Sequence, residues 1–320
     1  MDAHANAFPS LNRAYNKTFQ LDKLSIGLVA PLEANRHNPV PSSEQHIEQI
    51  KLADRLGFSA IWLRDIPFNV PAFGDIGQMY DPFVYLGVLS AVTQDIALGI
   101  ASVILPLRHP AHIAKAAASV DALSGGRLLL GVASGDRPEE YPLMGCDFDS
   151  RGQRFQDSID YIRAMGTAYP QANFAHGHLS GGADMLPKPV GPRLPLMITG
   201  GAQQTPEWVA QNGDGWMTYP RNAAVQGRLV ADYRRRIERF GAVNKPVLQS
   251  LYIDLVAQND APPSPIHLGF SSGINYLKAY LDDLQALGIN HVALNLRFNQ
   301  ADIGQTMEKL ASDVLPAFSI

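Results

Sequence analysis

The chain has a single cysteine, Cys146, so no intrachain disulfide can form and a zinc centre built from cysteines is excluded. A reducing, cytoplasmic compartment is the expected setting. No apolar run approaches the ~18 residues needed to cross a bilayer. The opening segment MDAHANAFPSLNRAYNK has no apolar core of the secretory-signal kind. An excess of one charge is also missing: 26 Lys plus Arg against 30 Asp plus Glu leave a net −4, which gives no electrostatic reason to expect nucleic acid or membrane as partner. Hydrophobic residues, by contrast, make up 46% of the 320 positions and supply ample core. A small-molecule enzyme is the default reading.

The clearest pattern lies at residues 95–135, DIALGIASVILPLRHPAHIAKAAASVDALSGGRLLLGVASG. Apolar runs at 96–105 and 128–133 flank a helix starting near Pro110, which makes one βαβ unit. Both runs are almost continuously apolar, as in strands covered on both faces by helices, so the sheet is expected to be parallel. Further strands are read at 25–30, 60–63, 196–199, 215–219, 246–255 and 291–296. Helices are expected from a Ser42/Gln45 capping box to Gly57, from Asp81 and Pro82, over 151–165, 203–213, 223–240 and 273–287, and from about 302 to 315. Eight strands, each followed by a helix, predict a closed (β/α)8 barrel, an α/β fold of TIM-barrel type. Residues 1–22 read as a loosely held N-terminal arm and 23–320 as a single barrel domain. Within the latter, 167–194 is a Gly- and Pro-rich excursion packed over the barrel. Polar loops are expected at 31–41 and, with Pro67, Pro71, Gly74 and Gly77, after the second strand.

Ligands of parallel α/β folds sit at the carboxyl ends of strands, and three stretches there stand out. TGGAQQTPEW follows the fifth strand: Gly200 and Gly201 allow close backbone approach, and the next helix start suits a phosphate. The same glycines could serve only a tight turn, with Thr205 capping a helix. Ala101 and Ser102 would leave a flat surface for a planar ring, or simply fit a narrow barrel. Ser134, Gly135, Asp136 and Arg137 follow the fourth strand; Arg137 could grip a phosphate or pair with Glu139 or Glu140. His109 with His112, and His176 with His178, come without a carboxylate at metal-ligand spacing, so no metal site is expected. A Schiff-base aldolase needs a lysine projecting from a strand end, and neither Lys188 nor Lys245 is so placed.

These stretches, above all ALGIASVILPLRHPAHIAKAAASVDALSGGRLLLGVASGDRPEEYPLMGCDFDSRGQRF and LPLMITGGAQQTPEWVAQNGDGW, resemble the bacterial luciferase-like flavin-dependent oxidoreductases, in a short single-domain form. The resemblance implies a barrel holding reduced FMN, or in some relatives a deazaflavin, at the carboxyl ends of its strands. Ala101 and Ser102 match the place of a non-prolyl cis peptide against the flavin ring. Gly200, Gly201, Ala202, Gln203, Gln204 and Thr205 match the phosphate-binding segment, while Ser134, Gly135 and Asp136 match a loop of the same pocket, with Tyr219 beside it. Ile66 stands where luciferases carry a catalytic histidine, Ser134 where they carry a phosphate-binding arginine, and Ala133 where they carry a reactive thiol. Arg137 is a possible substitute for that arginine, and light emission is not expected. Asp65, His109, Tyr219 and Arg297 lie near strand exits, and Asp65 and His109 are the candidate proton-handling groups.

The implied activity is a monooxygenase or related oxidoreductase acting with O2 on a small organic substrate. Because no GxGxxG fingerprint follows a strand, FMNH2 would come from a separate NAD(P)H:flavin reductase. The resemblance also implies a homodimer. A deazaflavin-dependent oxidoreductase and a non-catalytic flavin-binding homologue are the alternatives.

Overall fold

The computed structural model describes residues 8–32, 42–73 and 80–318. Parts of the expected N-terminal arm (1–7) and of the loop after the first strand (33–41) lie outside the described residues, as do Gly74 and Gly77 of the next loop (74–79). Helix α1 (Arg13–Thr18) precedes β1 (Ser25–Val29), α2 (Ser43–Leu56), β2 (Ala60–Leu63), α3 (Pro82–Val92), β3 (Ala97–Ile104), α4 (Pro110–Leu123) and β4 (Leu128–Ala133). There follow α5 (Glu140–Leu143), α6 (Arg151–Met165), a hairpin of β5 (Gln171–Phe174) and β6 (Gly177–Ser180), β7 (Leu196–Thr199), α7 (Pro206–Asn212), β8 (Gly215–Thr218) and α8 (Ala223–Arg239). The chain ends with β9 (Val247–Leu255), β10 (Ser264–Ile266), β11 (Gly269–Ser272), α9 (Ile274–Ala286), β12 (His291–Asn295) and α10 (Ile303–Asp313).

Strands β1, β2, β3, β4, β7, β8, β9 and β12 pair in parallel, and the β9–β8 and β12–β1 pairings close them into an eight-strand barrel. Beyond it, β11 runs parallel to the upper half of β9 and carries β10 antiparallel on its far edge. The excursion at 167–194 is less irregular than its composition suggests, since it contains the β5–β6 hairpin.

Local chemistry sets most of the helix ends. Asp81 accepts hydrogen bonds from the Phe83 and Val84 amides at 3.0 and 3.2 Å, with Pro82 in the first turn. Gly57 closes α2 at φ 87°. Two expectations fail. Ser42 makes no side-chain cap, so the capping box does not form. Helix α7 begins at Pro206 rather than near 203, because Ala202 and Gln203 take left-handed φ values of 45° and 60°, which no right-handed helix tolerates.

The expected loose arm is also corrected over its described part. Leu11, Ala14, Tyr15 and Phe19 are buried in one cluster with barrel-interior side chains that include Trp62, Ala97, Leu129, Met197, Leu248 and Ala293. Asn12 donates to Asp121 at 2.9 Å and to the Leu128 carbonyl at 2.8 Å, and the Tyr15 hydroxyl donates to the Asp214 carbonyl at 2.7 Å. The Leu128 and Asp214 carbonyls lie at the amino ends of β4 and β8, so α1 stops the bottom of the barrel. Above it a polar chain runs through the interior. The Trp62 indole donates to His291 Nε2 at 2.8 Å, which leaves the imidazole proton on Nδ1 to be donated to Ser25 Oγ at 2.7 Å; Ser25 then donates to the Thr18 carbonyl at 2.8 Å.

Burial lowers the His291 pKa to about 3 and that of His46, hydrogen-bonded to the Tyr85 hydroxyl, to about 4. Both imidazoles are therefore neutral when folded but take up protons near pH ~6.5 when unfolded. Stability is fully present above ~6.5 and is lost as pH falls from there toward the folded values, by up to ~1.4 kcal/mol per pH unit for each histidine. Urea unfolding midpoints measured from pH 8 to pH 4.5 should be level above ~6.5 and fall below it.

Candidate active site

The barrel interior is filled at its floor and opens toward the carboxyl ends of the strands. Along each strand, positions two apart share a face. Inward positions pass from full burial to partial exposure within one or two such steps: Ala97 to Ala101, Leu129 to Ala133, Met197 to Thr199, Trp62 to Arg64, and Leu248 to Ser250 and Tyr252. The resulting mouth has two unlike halves.

Small side chains make the half formed by β3, β4 and β7. The Ala101–Ser102 peptide is cis, and the β3–β4 register shifts between Ile100 and Val103. Ser102 Oγ is hydrogen-bonded to Thr199 Oγ1 and lies 3.7 Å from Met217 Sδ. Gly131 sits directly beneath: a Cβ there would overlap the Ile100 carbonyl and come within 2.8 Å of Met217 Sδ. Ala101, Ser102, Ala133 and Thr199 thus leave a shallow, low wall, while Gly131 is buried beneath it as a packing requirement. Gly131 and Thr199 escape a residue-by-residue reading of motifs, although a glycine inside the apolar run LLLGVA is itself a sign of close approach.

This wall continues into the loop 200–205. Gly200, Ala202 and Gln203 all take positive φ, which turns the backbone sharply before α7. The loop is pinned rather than free. Trp216 Nε1 donates to the Gly200 carbonyl at 2.9 Å, and Gln204 Nε2 donates to the Gly152 carbonyl at 2.8 Å, while Gln156 donates to Gln204 Oε1. Gly152 faces Gln203 closely, so the loop abuts the first turn of α6, and Gly201 and Gln203 remain exposed. Thr205 is occupied as the α7 cap, accepting from the Trp208 amide at 3.2 Å.

Residues 134–137 separate into different roles. The Ser134 carbonyl accepts from the Tyr141 hydroxyl, and Gly135 at φ 79° has no room for a side chain against Tyr141 and Ile104. Asp136 is exposed and, with partial desolvation as the larger cause, raises the Tyr219 phenol pKa; Arg64 and Arg221 act oppositely. Arg137 turns away. It is 6% exposed, lies 3.9 Å from the buried Glu140 carboxylate and stands over the Phe73 ring, which is the ion-pair reading rather than the phosphate one.

The proton-handling candidates are likewise placed outside the mouth. Both Asp65 oxygens are taken, by the Arg108 guanidinium at 2.7 and 3.2 Å and by the Ile104 amide at 3.1 Å. With its side chain 1% exposed, Asp65 ties the β2 exit to the β3 exit instead of standing as a free acid or base. His109 caps α4 by accepting from the Ala111 amide at 3.2 Å, and its ring packs among His112, Tyr161 and His176 on the outer side. Lys245, with its pKa lowered by burial to about 8, donates to the Ala210 and Gln211 carbonyls, while Lys188 pairs with Asp184. Among the described residues no three His, Cys, Asp or Glu side chains converge to hold a metal ion, and no helix is long and apolar enough to cross a membrane.

Residues 24–260 match the model of a family described as luciferase-like monooxygenase. The chain belongs to the luciferase-like monooxygenase family. Among curated members it is 26% identical over 225 residues to the oxygenase component of a flavin-dependent trigonelline monooxygenase of Acinetobacter baylyi, covering 68% of this chain and 60% of that one. Two solved structures share the fold: an F420-dependent secondary alcohol dehydrogenase (TM-score 0.75, 15% identity, 92% of this chain and 99% of that one) and the FMN complex of the oxygenating constituent of the 3,6-diketocamphane monooxygenase of Pseudomonas putida (TM-score 0.72, 13% identity, 92% and 98%). The expected closed barrel is the fold observed, and both of these structures share it.

If Asp65 is a tie, removing its partner should strand a buried carboxylate. Arg108→Met is expected to cost about 3 kcal/mol in urea unfolding, and adding Asp65→Asn should recover part of that loss. A double variant no more stable than Arg108→Met would contradict the assignment.

Proposed function

We propose that the protein is a flavin-dependent monooxygenase that uses reduced FMN and O2 on a small organic substrate, with FMNH2 delivered by a separate NAD(P)H:flavin reductase. The observation that carries this reading is the continuity of the low wall at Ala101, Ser102 and Thr199 with the pinned left-handed loop 200–204. A planar ring would lie against the first, where Ala101, Ser102 and Thr199 present only small, half-buried side chains. A phosphate fits the second, where exposed backbone meets the positive end of α6. Gly200, Gly201, Ala202, Gln203 and Gln204 would hold the phosphate, Ala101 and Ser102 would back the ring, and Asp136 and Tyr219 would close its edge.

When bound, reduced flavin supplies the electrons that activate O2. The chain's own residues then bind, orient and dry the site. Ser102 and Thr199 fix the floor through their mutual hydrogen bond, Met217 and Ala133 keep it apolar, and Tyr219 and Tyr252 stand at the rim where water would enter. With Asp65 and His109 engaged elsewhere, Tyr219 is the titratable group best placed over the mouth. The two-component arrangement is supported by the trigonelline relative, whose name makes it an oxygenase component. A deazaflavin is the second reading, favoured by the likeness of the barrel to the F420-dependent dehydrogenase.

We further infer a homodimer in a reducing cytoplasm. Its support is the apolar stripe Val84, Val88 and Val92 on α3, of which Val84 is 70% exposed, together with the free thiol of Cys146.

Titration of the purified chain with FMN, anaerobically reduced FMN and F420 should show saturable binding of reduced FMN, tighter than F420 by about tenfold or more. Ala101→Trp should abolish that binding while the thermal transition stays cooperative. Absence of association with all three cofactors would end the flavin reading, and F420 as the preferred ligand would replace FMN with the deazaflavin. In light scattering, Val88→Glu should shift the species from dimer to monomer.

A further inference from the structure

The half of the mouth opposite the low wall is built from different chemistry. In the ring of strands, β9 and β12 stand across from β3 and β4. His291, Ala293 and Asn295 of β12 pair in register with Leu248, Ser250 and Tyr252 of β9. Leu248 and Ala293 belong to the interior cluster, so Ser250, Tyr252 and Asn295 continue the inward face upward. Tyr252 is half-buried and packs against Phe298 at 5.2 Å and His267 at 5.7 Å between ring centroids. Gly269 makes the second contact possible: a Cβ there would overlap the Tyr252 carbonyl, and its absence lets the β10–β11 turn bring His267 against the tyrosine. The wall at the exits of β9 and β12 is therefore aromatic.

Uncharged polar groups accompany the rings. Asn295 is 6% exposed, and its Oδ1 accepts from the Arg297 backbone amide at 3.0 Å. A backbone amide can only donate, so this bond fixes which end of the side chain is oxygen and leaves the NH2 group over. Among the described residues nothing accepts from Asn295 Nδ2, yet this nitrogen is not sealed from solvent. Because Asn295 faces inward, the solvent it meets is that of the mouth. Ser250 Oγ and Tyr252 Oη also meet no hydrogen-bond partner among the described residues and are not sealed. Asp254, the next inward position on β9, is not the missing acceptor, since it takes hydrogen bonds from Ser271 Oγ at 2.8 Å and from the Gln300 amide at 2.9 Å. A deeply buried amide with an unmet donor is an exception to the usual pairing of such groups, and a bound acceptor would complete it.

We propose that this side binds an uncharged planar ring carrying a hydrogen-bond-accepting oxygen, of the aryl carbonyl class. The ring lies along Tyr252 and Phe298, and the carbonyl oxygen accepts from Asn295 Nδ2, with the Ser250 hydroxyl as a second donor on the same face. The proposal rests on the flavin reading only in taking the low wall as the cofactor's side. A ligand of the same shape with a methylene in place of the oxygen leaves the amide unmet, and a saturated ketone loses the stacking.

The test is calorimetric titration of FMN-loaded protein with acetophenone, α-methylstyrene, cyclohexyl methyl ketone and benzoate at pH 7. Acetophenone is expected to bind about tenfold or more tightly than α-methylstyrene, which differs only in carrying a methylene for the oxygen, and more tightly than the saturated ketone. Asn295→Asp keeps an oxygen for the Arg297 amide but offers no donor, so it should bring acetophenone and α-methylstyrene to within about twofold of each other. Tyr252→Leu should erase the preference for acetophenone over cyclohexyl methyl ketone. Equal affinity of the wild type for acetophenone and either neutral analogue, no binding of any of them, benzoate as the tightest ligand, or an acetophenone preference that survives Asn295→Asp would overturn the proposal. The wild-type comparison stands even if a variant fails to fold. Protein that takes up no FMN counts against the flavin reading alone, and the four titrations are then read on the cofactor-free chain, where the same order is expected.

Discussion

The indole of Trp62 is the piece on which the interior depends. It stands fully buried inside the barrel, where a Cβ on Gly99 of the neighbouring strand would overlap it, and its N–H is satisfied by His291. A tryptophan so placed fills the volume that several aliphatic layers would otherwise share. Below it, α1 closes the bottom with Tyr15; above it, the inward positions become small or polar and the mouth begins. The same residue therefore separates a packed floor from an open chemical surface. His291 is bound to it chemically as well as sterically, because only a neutral imidazole can accept the indole proton.

Outside the strands, buried charged groups do the fastening. Arg127 is 3% exposed and donates to the Ser90, Thr93, Ile96 and Ser124 carbonyls and to Thr93 Oγ1, which joins the end of α3 to the starts of β3 and β4. Asp121 joins the N-terminal segment, β4 and the end of the excursion, through Asn12, Leu128 and Val190. Such groups add little net stability when compared with well-packed apolar ones, yet they cannot be satisfied in a slipped arrangement. The Asp65–Arg108 pair belongs with them, since both carboxylate oxygens at that strand exit are engaged.

How much of this was legible in the chain depends on where each signal is stored. Strands such as Leu128–Ala133 and Leu196–Thr199 stood out because burial on both faces demands unbroken apolar runs. Helix α1 did not, since six residues are too few to show a period and its apolar side chains looked like isolated ones in a polar arm. The β10–β11 hairpin was invisible for the opposite reason: Ser264 and Pro265 are exposed, so nothing in their composition had to be apolar. Ala101 and Ser102 stood out as small residues at a strand exit, where a planar ring and a merely narrow barrel explained them equally, and the resemblance added the cis peptide that the structure has there. Asp65 misled because its partner lies 43 residues away in the chain, and only the fold brings the two together. Tyr252 was overlooked because an inward-facing strand end looks like any other residue until the register is known.

One consequence follows from the unlike halves of the mouth. A flat molecule lying on Ala101 and Ser102 would have one side covered by backbone and only the other turned toward Tyr252. Any partner would then approach from that single direction, and a prochiral reactant would present one face throughout. Reactions performed in such an opening would yield one mirror-image product, a handedness written into the order of the strands.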